Sequence, residues 1–377
     1  LKQYHKRAWA EVHLKRLEYN INTIKNSLYP ETNIMAVIKA DAYGHGEDKI
    51  LNKLWSIGVK YFAVSNLDEA ISVRNNCPQG EILILGYTPP EYAYDLEKYN
   101  IIQSIVSTEH AELISKNAKN IVRCHIKVDT GMNRLGLKFS SIHECSQEIE
   151  NICKISKLSI EGIFTHFAVA DSQTENDITF TQNQKSYIEN VYDLLKTKNI
   201  NLKHLHYLNS AGACYHNSRK STLARIGITM YGLHPDINTP LPYILMPVME
   251  LKAIVSEVKK IYPGDCVSYG RTYEANQEIN VATVTVGYAD GYSRLLSSKG
   301  EVLLKGEKCK IIGRICMDQL MIDISKLHNI NAGDVVTLIG LDNKASISAD
   351  EVAKKYDTIG YEVVCGISKR VPRIYIE

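Results

Sequence analysis

Lys39 closes an apolar run, Ile34 to Ile38, in the stretch I-M-A-V-I-K-A-D-A-Y-G-H-G. An ammonium at the mouth of an apolar strand is poorly solvated. Weight shifts to the neutral amine, the form that acts as a base or condenses with a carbonyl. Tyr43 follows, and Gly44 and Gly46 flank His45. Comparable groups end other apolar runs. V-R-C-H-I-K-V-D-T-G-M-N-R carries Lys127, Asp129 and Arg134; F-T-H-F carries His166; Y-L-N-S-A-G carries Asn209 and Ser210; L-A-R-I-G-I carries Arg225, Gly227 and Ile228. Each alone has an everyday reading: Lys39 a surface lysine before a turn, Asn209 a turn residue, His166 a hydrogen-bonded core histidine, Arg134 a surface partner of Asp129. Such groups at five run ends are hard to explain as accident and point to one shared site.

Ser210 with the backbone N–H groups of Gly227 and Ile228 suits an anion such as a phosphate. A phosphate cradle together with an amine at a buried strand end fits pyridoxal phosphate in Schiff-base linkage. No Walker sequence suggests a nucleoside triphosphate, and no H-E-x-x-H or EF-hand spacing suggests a metal.

The elements that must position these groups follow from periodicity. Runs at Ile34–Ile38, Tyr61–Val64, Ile82–Leu85, Ile101–Val106, Ile121–Val128, Leu158–Phe164, His204–Leu208 and Thr222–Ile228 read as strands. Helical patterns separate them: Glu11 to Leu28, with Leu14, Leu17, Ile21 and Ile24 on one face; a helix presenting Ile50, Leu51, Leu54 and Trp55; Leu67 to Arg74; and Ser186 to Lys196. Eight strand–helix units predict a closed parallel TIM-type (β/α) barrel, whose functional residues collect at the C-terminal ends of the strands. An open doubly wound sheet is the alternative, but no G-x-G-x-x-G follows the first strand. Pro235, Pro240, Pro242 and Pro247 mark an inter-domain connection. Beyond it, runs at Leu251–Ile261, Ile279–Val286, Glu301–Leu304, Lys310–Cys316, Leu320–Ile324 and Val335–Ile339 predict a smaller, mostly antiparallel β domain, with only Ala349 to Tyr356 helical. The barrel is placed at residues 1–240, with the first ten or so residues assignable to the β domain, and the β domain at 241–377.

The 377 residues readily support two domains, and a net charge of +2 gives no nucleic-acid footprint. No apolar run approaches the ~20 residues of a membrane span. Lys2, Lys6 and Arg7 are not followed by the apolar stretch of a signal peptide. Nine cysteines without a C-x-x-C pair predict reduced thiols and a cytoplasmic protein. The chain opens on Leu1 rather than Met, which reads as an engineered start or as a domain cut from a longer protein.

The sequence resembles the pyridoxal-phosphate-dependent alanine racemases. The matching stretches are A-V-I-K-A-D-A-Y-G-H-G (36–46), K-V-D-T-G-M-N-R-L-G (127–136), T-H-F-A (165–168), N-S-A (209–211), R-I-G-I-T-M-Y-G (225–232), V-S-Y-G-R-T-Y (267–273), V-G-Y-A-D-G-Y (286–292), G-R-I-C-M-D-Q (313–319) and Y-E-V-V-C-G-I-S-K-R-V-P-R (361–373). They stand in family order and cover nearly the whole chain. The resemblance implies a barrel plus β domain and a homodimer whose active sites are completed by the partner subunit. It also implies a two-base racemisation of alanine or serine that supplies D-amino acids for peptidoglycan. Lys39 should carry the cofactor and act as one base, and Tyr269 should reach over from the other subunit as the opposite base. Arg225 should face the pyridine nitrogen with His166 in support, and Arg134 should bond the phenolic oxygen. Tyr43, Ser210, Gly227, Ile228 and Tyr361 should contact the phosphate, with Asn209 beside them. Arg134, Met317, Asp318 and Tyr288 should contact substrate, with Asp171 nearer the mouth. Lys127 matches a position often carbamylated in the family. Arg271 is family-variable and receives no role.

Two positions depart from the family pattern: Asn133, where Gly is frequent, and Gly360, where Asn is usual before Tyr361. The second, with the absent initiator Met, raises the membrane-anchored serine/alanine racemases of vancomycin-type resistance as a special relative. Among other classes, a basic amino-acid decarboxylase expects an acid at the pyridine nitrogen, against Arg225. A non-catalytic pyridoxal-phosphate carrier resembles the barrel alone, against the β domain with Tyr269 and Tyr288.

Overall fold

The computed structural model describes residues 7–377; Lys2 and Lys6 of the basic N-terminus lie outside the described residues. Strand β1 (Ala8–His13) is followed by a helix over Leu14–Ser27. The helix was expected from Glu11. Residues Glu11 to His13 instead extend β1, because the strand finds partners on both edges. Ala10 pairs antiparallel with Leu251, and Val12 pairs parallel with Tyr375. Trp9, Ala10 and Val12 are buried there. Ladder pairing with distant segments overrides a helical pattern that a local window would extend.

Eight parallel strands follow: β2 (Asn33–Val37), β3 (Tyr61–Val64), β4 (Glu81–Ile84), β5 (Ile102–Ile105), β6 (Val122–Lys127), β7 (Leu158–Phe164), β8 (His204–His206) and β9 (Leu223–Ile226). Each expected strand is present, two with the expected ends, two shifted by one residue and four trimmed by a residue or two at one or both ends. Their order is β8-β7-β6-β5-β4-β3-β2-β9. The ring closes where Leu208 bridges Ala224 and the Arg225 amide donates to the Leu208 carbonyl at 2.8 Å. Met35, Ala36, Phe62, Leu83 and Ile126 are buried without exposed surface, so the barrel strands are covered on both faces. Helices such as Glu47–Ser56 and Glu175–Thr197 cover the outside with Ile50, Leu51, Leu54, Ile188, Val191 and Leu195 buried.

Most of the remaining strands, led by β10 (Met249–Ile261), form a nine-stranded sheet with β1 and Arg373–Ile376, while Cys266–Val267 and Tyr273–Glu274 pair as a separate two-stranded sheet. Every pairing in the larger sheet is antiparallel except that between β1 and Arg373–Ile376. The strand expected at Lys310–Cys316 lies at Glu307–Ile312, because Gly313 turns out of the sheet at φ +69. A helix at Gly360–Cys365 was not anticipated. One continuous hydrophobic core joins barrel and β domain. No helix among the described residues is long and apolar enough to cross a membrane.

Candidate active site

The C-terminal ends of the barrel strands and the helix Gly360–Cys365 enclose a cavity of about 660 Å³. Its walls carry Lys39, Tyr43, Lys127, Arg134, His166, Asp171, Asn209, Ser210, Arg225, Gly227, Ile228 and Tyr361. Groups scattered over more than 300 positions of sequence thus meet because each ends a strand of one ring, lies on the segment that follows that strand, or sits in the helix above.

Lys39 leaves the buried end of β2 just after Ile38. The next four residues, Ala40, Asp41, Ala42 and Tyr43, have φ of 53°, 54°, 53° and 53°, a left-handed turn built without glycine. Such a conformation costs ~1–2 kcal/mol per residue, so it persists only when surroundings over-determine it. The β domain supplies part of that restraint. Arg373 Nε donates to the Gly44 carbonyl at 2.9 Å, and the Tyr375 hydroxyl donates to the His45 carbonyl at 3.2 Å. Gly44, at φ +78, lies so close to the Val364 carbonyl that a Cβ would collide with it. His45 Nδ1 lies 3.0 Å from the carbonyls of both Ala42 and Tyr43, and its ring stacks on Tyr231. The turn aims Tyr43 back at the last barrel strand, where its hydroxyl lies 2.6 Å from the position a Cβ on Gly227 would take.

At that end the donors for an anion converge. The Gly227 amide donates to Ser210 Oγ at 2.9 Å, which ties the two strand ends together and leaves the Ser210 hydroxyl proton available. Ile228 opens a 3₁₀ turn, so its amide has no acceptor within that turn. Burial pushes the phenols of Tyr43 and Tyr361 well above their usual range, so both keep their protons and can donate. The Asn209 side chain accepts from the Gly212 amide at 2.7 Å and so caps the Ser210–Tyr215 helix while bordering the cavity.

Arg225 is buried and has only neutral acceptors. Nη1 donates to His206 Nδ1 at 2.8 Å and to the His206 carbonyl at 3.0 Å, and Nη2 donates to the Thr165 carbonyl at 2.7 Å. Burial pulls its pKa down to about 9, which leaves it charged near neutrality. Its Nε is buried without a partner among the described residues. An orphaned donor on a group lining the cavity fits an acceptor such as an unprotonated ring nitrogen. The expected support from His166 is the weaker one, its Nδ1 lying 3.4 Å from Nη2. The stronger partner, His206, was missed. Its clue was present in H-L-H: alternate strand positions share a face, and His206 sits beside the Arg225 strand. Because guanidinium only donates, His206 accepts through Nδ1, carries its proton on Nε2, and passes a hydrogen bond to His125 Nδ1 at 2.9 Å.

Lys127 is buried, and that burial, with the charges of Arg134 and Arg225, brings its amine down to about 8. Its Nζ and the Arg225 guanidinium both lie over the Phe164 ring, at 5.6 and 5.3 Å. Arg134 is exposed on the loop after β6. Asp129 Oδ1 orders that loop by accepting from the amides of Gly131 and Asn133, each at 3.0 Å. Asn133 has φ +56, a conformation asparagine tolerates, which accounts for its standing where glycine is frequent. Gly360 is also explained locally: a Cβ there would run into the Asp350 carboxylate, whose Oδ2 accepts from the His234 amide.

Tyr269, Tyr288, Met317 and Asp318 do not border this cavity. Tyr269 is 70% exposed and Met317 52% exposed on the β domain, where with Ser268 and Asp318 they edge a separate surface cavity. Backbone at φ +68, +73 and +49 in Ser268, Gly270 and Arg271 throws the Tyr269 loop outward. Tyr288 joins the same region through its amide, which donates to the Cys316 carbonyl at 3.1 Å. One chain therefore unites the Lys39 set and leaves the Tyr269 set on its outer surface.

Known proteins share this architecture. The family model for the alanine racemase N-terminal domain matches residues 12–235, and that for the C-terminal domain matches residues 248–375. Alanine racemase 1 of Clostridium acetobutylicum is 41% identical over 373 residues, spanning 98% of this chain and 95% of the relative. The structure of an alanine racemase from Clostridium difficile 630 superposes with a TM-score of 0.92 at 37% identity, covering 100% of this chain and 97% of that one. A histidine racemase from Leuconostoc mesenteroides subsp. sake gives 0.89 at 27% identity, covering 100% and 99%. On two family models that together span nearly the whole described chain, and on a relative this similar, the protein belongs to the alanine racemase family.

Proposed function

We propose that the protein is a pyridoxal-phosphate-dependent racemase of a small amino acid, with alanine the first substrate to test. The observation that carries this reading is Arg225: a buried guanidinium with neutral partners and a free Nε, in the same cavity as Lys39 and a cluster of neutral anion donors. Lys39 is the residue to hold the cofactor's aldehyde. Tyr43, Ser210, Ile228 and Tyr361 would donate to its phosphate, and Arg225 Nε to its ring nitrogen. When bound, pyridoxal phosphate makes the Cα proton of an attached amino acid removable. Lys39 Nζ takes or returns that proton on its own face. Tyr269 of a second copy does so on the opposite face, which would account for its exposure here. Because Arg225 is cationic, a ring nitrogen held by its Nε would stay unprotonated. That weakens the electron sink and disfavours transamination; a decarboxylase, which expects a carboxylate there, fits less well.

On this reading the surface with Tyr269, Tyr288, Met317 and Asp318 faces the partner of a homodimer. Lys127, partly neutral near pH 8, is able to take up carbon dioxide as a carbamate, and the neighbouring Arg134 and Arg225 would offset its negative charge. The cysteines are unpaired, in keeping with a reducing cytoplasm and a role in supplying D-amino acids for peptidoglycan. The histidine racemase cautions that the fold alone does not set the side chain accepted. Racemisation of L-alanine and L-serine should be followed by chiral chromatography with pyridoxal phosphate present. Alanine turnover well above serine turnover is expected. Preferred serine turnover would place the protein with the serine/alanine racemases of vancomycin-type resistance, and turnover of neither would overturn the proposal.

A further inference from the structure

The left-handed turn after Lys39 is tied to the barrel at its first residue. Glu69, in the first turn of the helix Leu67–Asn76 that follows β3, accepts the Ala40 amide on Oε1 at 2.7 Å. Its Oε2 accepts both the amide and the hydroxyl of Ser65, each at 2.8 Å. Ser65 follows β3 directly and lines the cavity. Glu69 is itself located by the Asn66 cap, whose side chain accepts the Glu69 amide at 3.0 Å. One half-buried carboxylate, with both oxygens engaged, thus joins the residue beside Lys39 to the mouth of the neighbouring strand. Among the described residues no ion pair links Glu69 to Lys39, so its influence runs through the backbone. The other end of the turn is held from the β domain by Arg373 at Gly44.

We infer that Glu69 is a positioning residue for the Lys39 amine: its grip on the Ala40 amide sets the backbone from which Lys39 reaches the substrate Cα, and so serves the Lys39 face of the reaction and not the opposite face. The chemical part of this inference rests on the racemase reading; the geometric part does not.

Two measurements on the holoenzyme test it. Deuterium uptake at Cα from L-alanine and from D-alanine, measured in deuterium oxide, reports each face separately. Glu69→Ala should slow exchange on the Lys39 face about tenfold more than on the other, the size of one charge-assisted hydrogen bond. Glu69→Gln keeps an acceptor for Ala40 and should fall between that variant and the unmodified protein. Amide hydrogen exchange of residues 38–46 should also quicken about tenfold in Glu69→Ala, with the rest of the barrel unchanged. Should Glu69→Ala fail to fold, Ser65→Ala, which removes one of the three donors, should move both readouts the same way by less. Equal slowing on both faces, or unaltered exchange in 38–46, overturns the inference. Amide exchange needs no turnover, so failure of the unmodified protein to racemise would overturn the racemase reading and leave segment 38–46 to judge Glu69.

Discussion

At the scale of single residues, the site is an arrangement of groups in protonation states that burial selects. Tyr43 and Tyr361 stay neutral donors, Arg225 stays a cation without a carboxylate, and Lys127 is drawn toward neutrality. The two-base scheme predicts that Tyr269→Phe suppresses Cα-proton exchange from one alanine enantiomer at least ~100-fold more than from the other, the usual scale for a general base. Equal losses in deuterium-exchange measurements would sink the assignment of bases to faces. The histidines carry a second prediction. Burial, with positive neighbours, holds His125, His166 and His206 well below their usual pKa, and burial pulls His45 down to about 4. Below pH ~6.5 the unfolded chain takes up protons that these folded side chains refuse. Stability should therefore fall with acidification by up to ~1.4 kcal/mol per such histidine per pH unit until the folded values are reached. Urea midpoints at about pH 7.5 and 5.5 measure this, and a flat profile between them would contradict it.

At the scale of elements, strand ends do the positioning and glycines permit the close approaches. A Cβ on Gly227 would sit 2.6 Å from the Tyr43 hydroxyl and displace it. Gly227→Ala should accordingly weaken pyridoxal phosphate binding by roughly tenfold or more, the cost of one or two misdirected hydrogen bonds to a charged group, while the thermal midpoint moves by only a few degrees. Titration of cofactor absorbance against protein checks the first part, and circular dichroism the second. Retained affinity would argue that Tyr43 is not a phosphate donor.

At the scale of the whole molecule, the Lys39 cavity and the Tyr269 surface lie apart in one chain. If a second copy brings them together, mixed dimers should show complementation. Lys39→Ala and Tyr269→Ala proteins, each inactive, should regain up to about a quarter of normal activity when unfolded and refolded together, since half the dimers are mixed and each mixed dimer has one intact site. No recovery, with dimers verified by light scattering, would place both bases in one chain.

How much of this was legible beforehand differs by element. The eight barrel strands were readable because strands buried on both faces are continuous apolar runs bounded by polar punctuation, a local signal. The rim residues were readable for the same reason: Lys39, Lys127, His166 and Arg225 each end or follow such a run, and the parallel barrel places run ends on one side. The start of the first helix was misread because β1 exists only through partners some 240 and 360 residues away. His206 passed unnoticed because its task depends on Arg225 across a strand pair that no window spans. The left-handed turn was invisible for a related reason: its residues would not adopt it alone, and Glu69, Arg373 and Val364 impose it from elsewhere in the fold. Local chemistry and periodicity, which act between neighbours in the chain, determined the barrel and the inventory of its site. Strain, tautomer and hydrogen-bond choice arise from groups distant in sequence, and only the tertiary structure decided them.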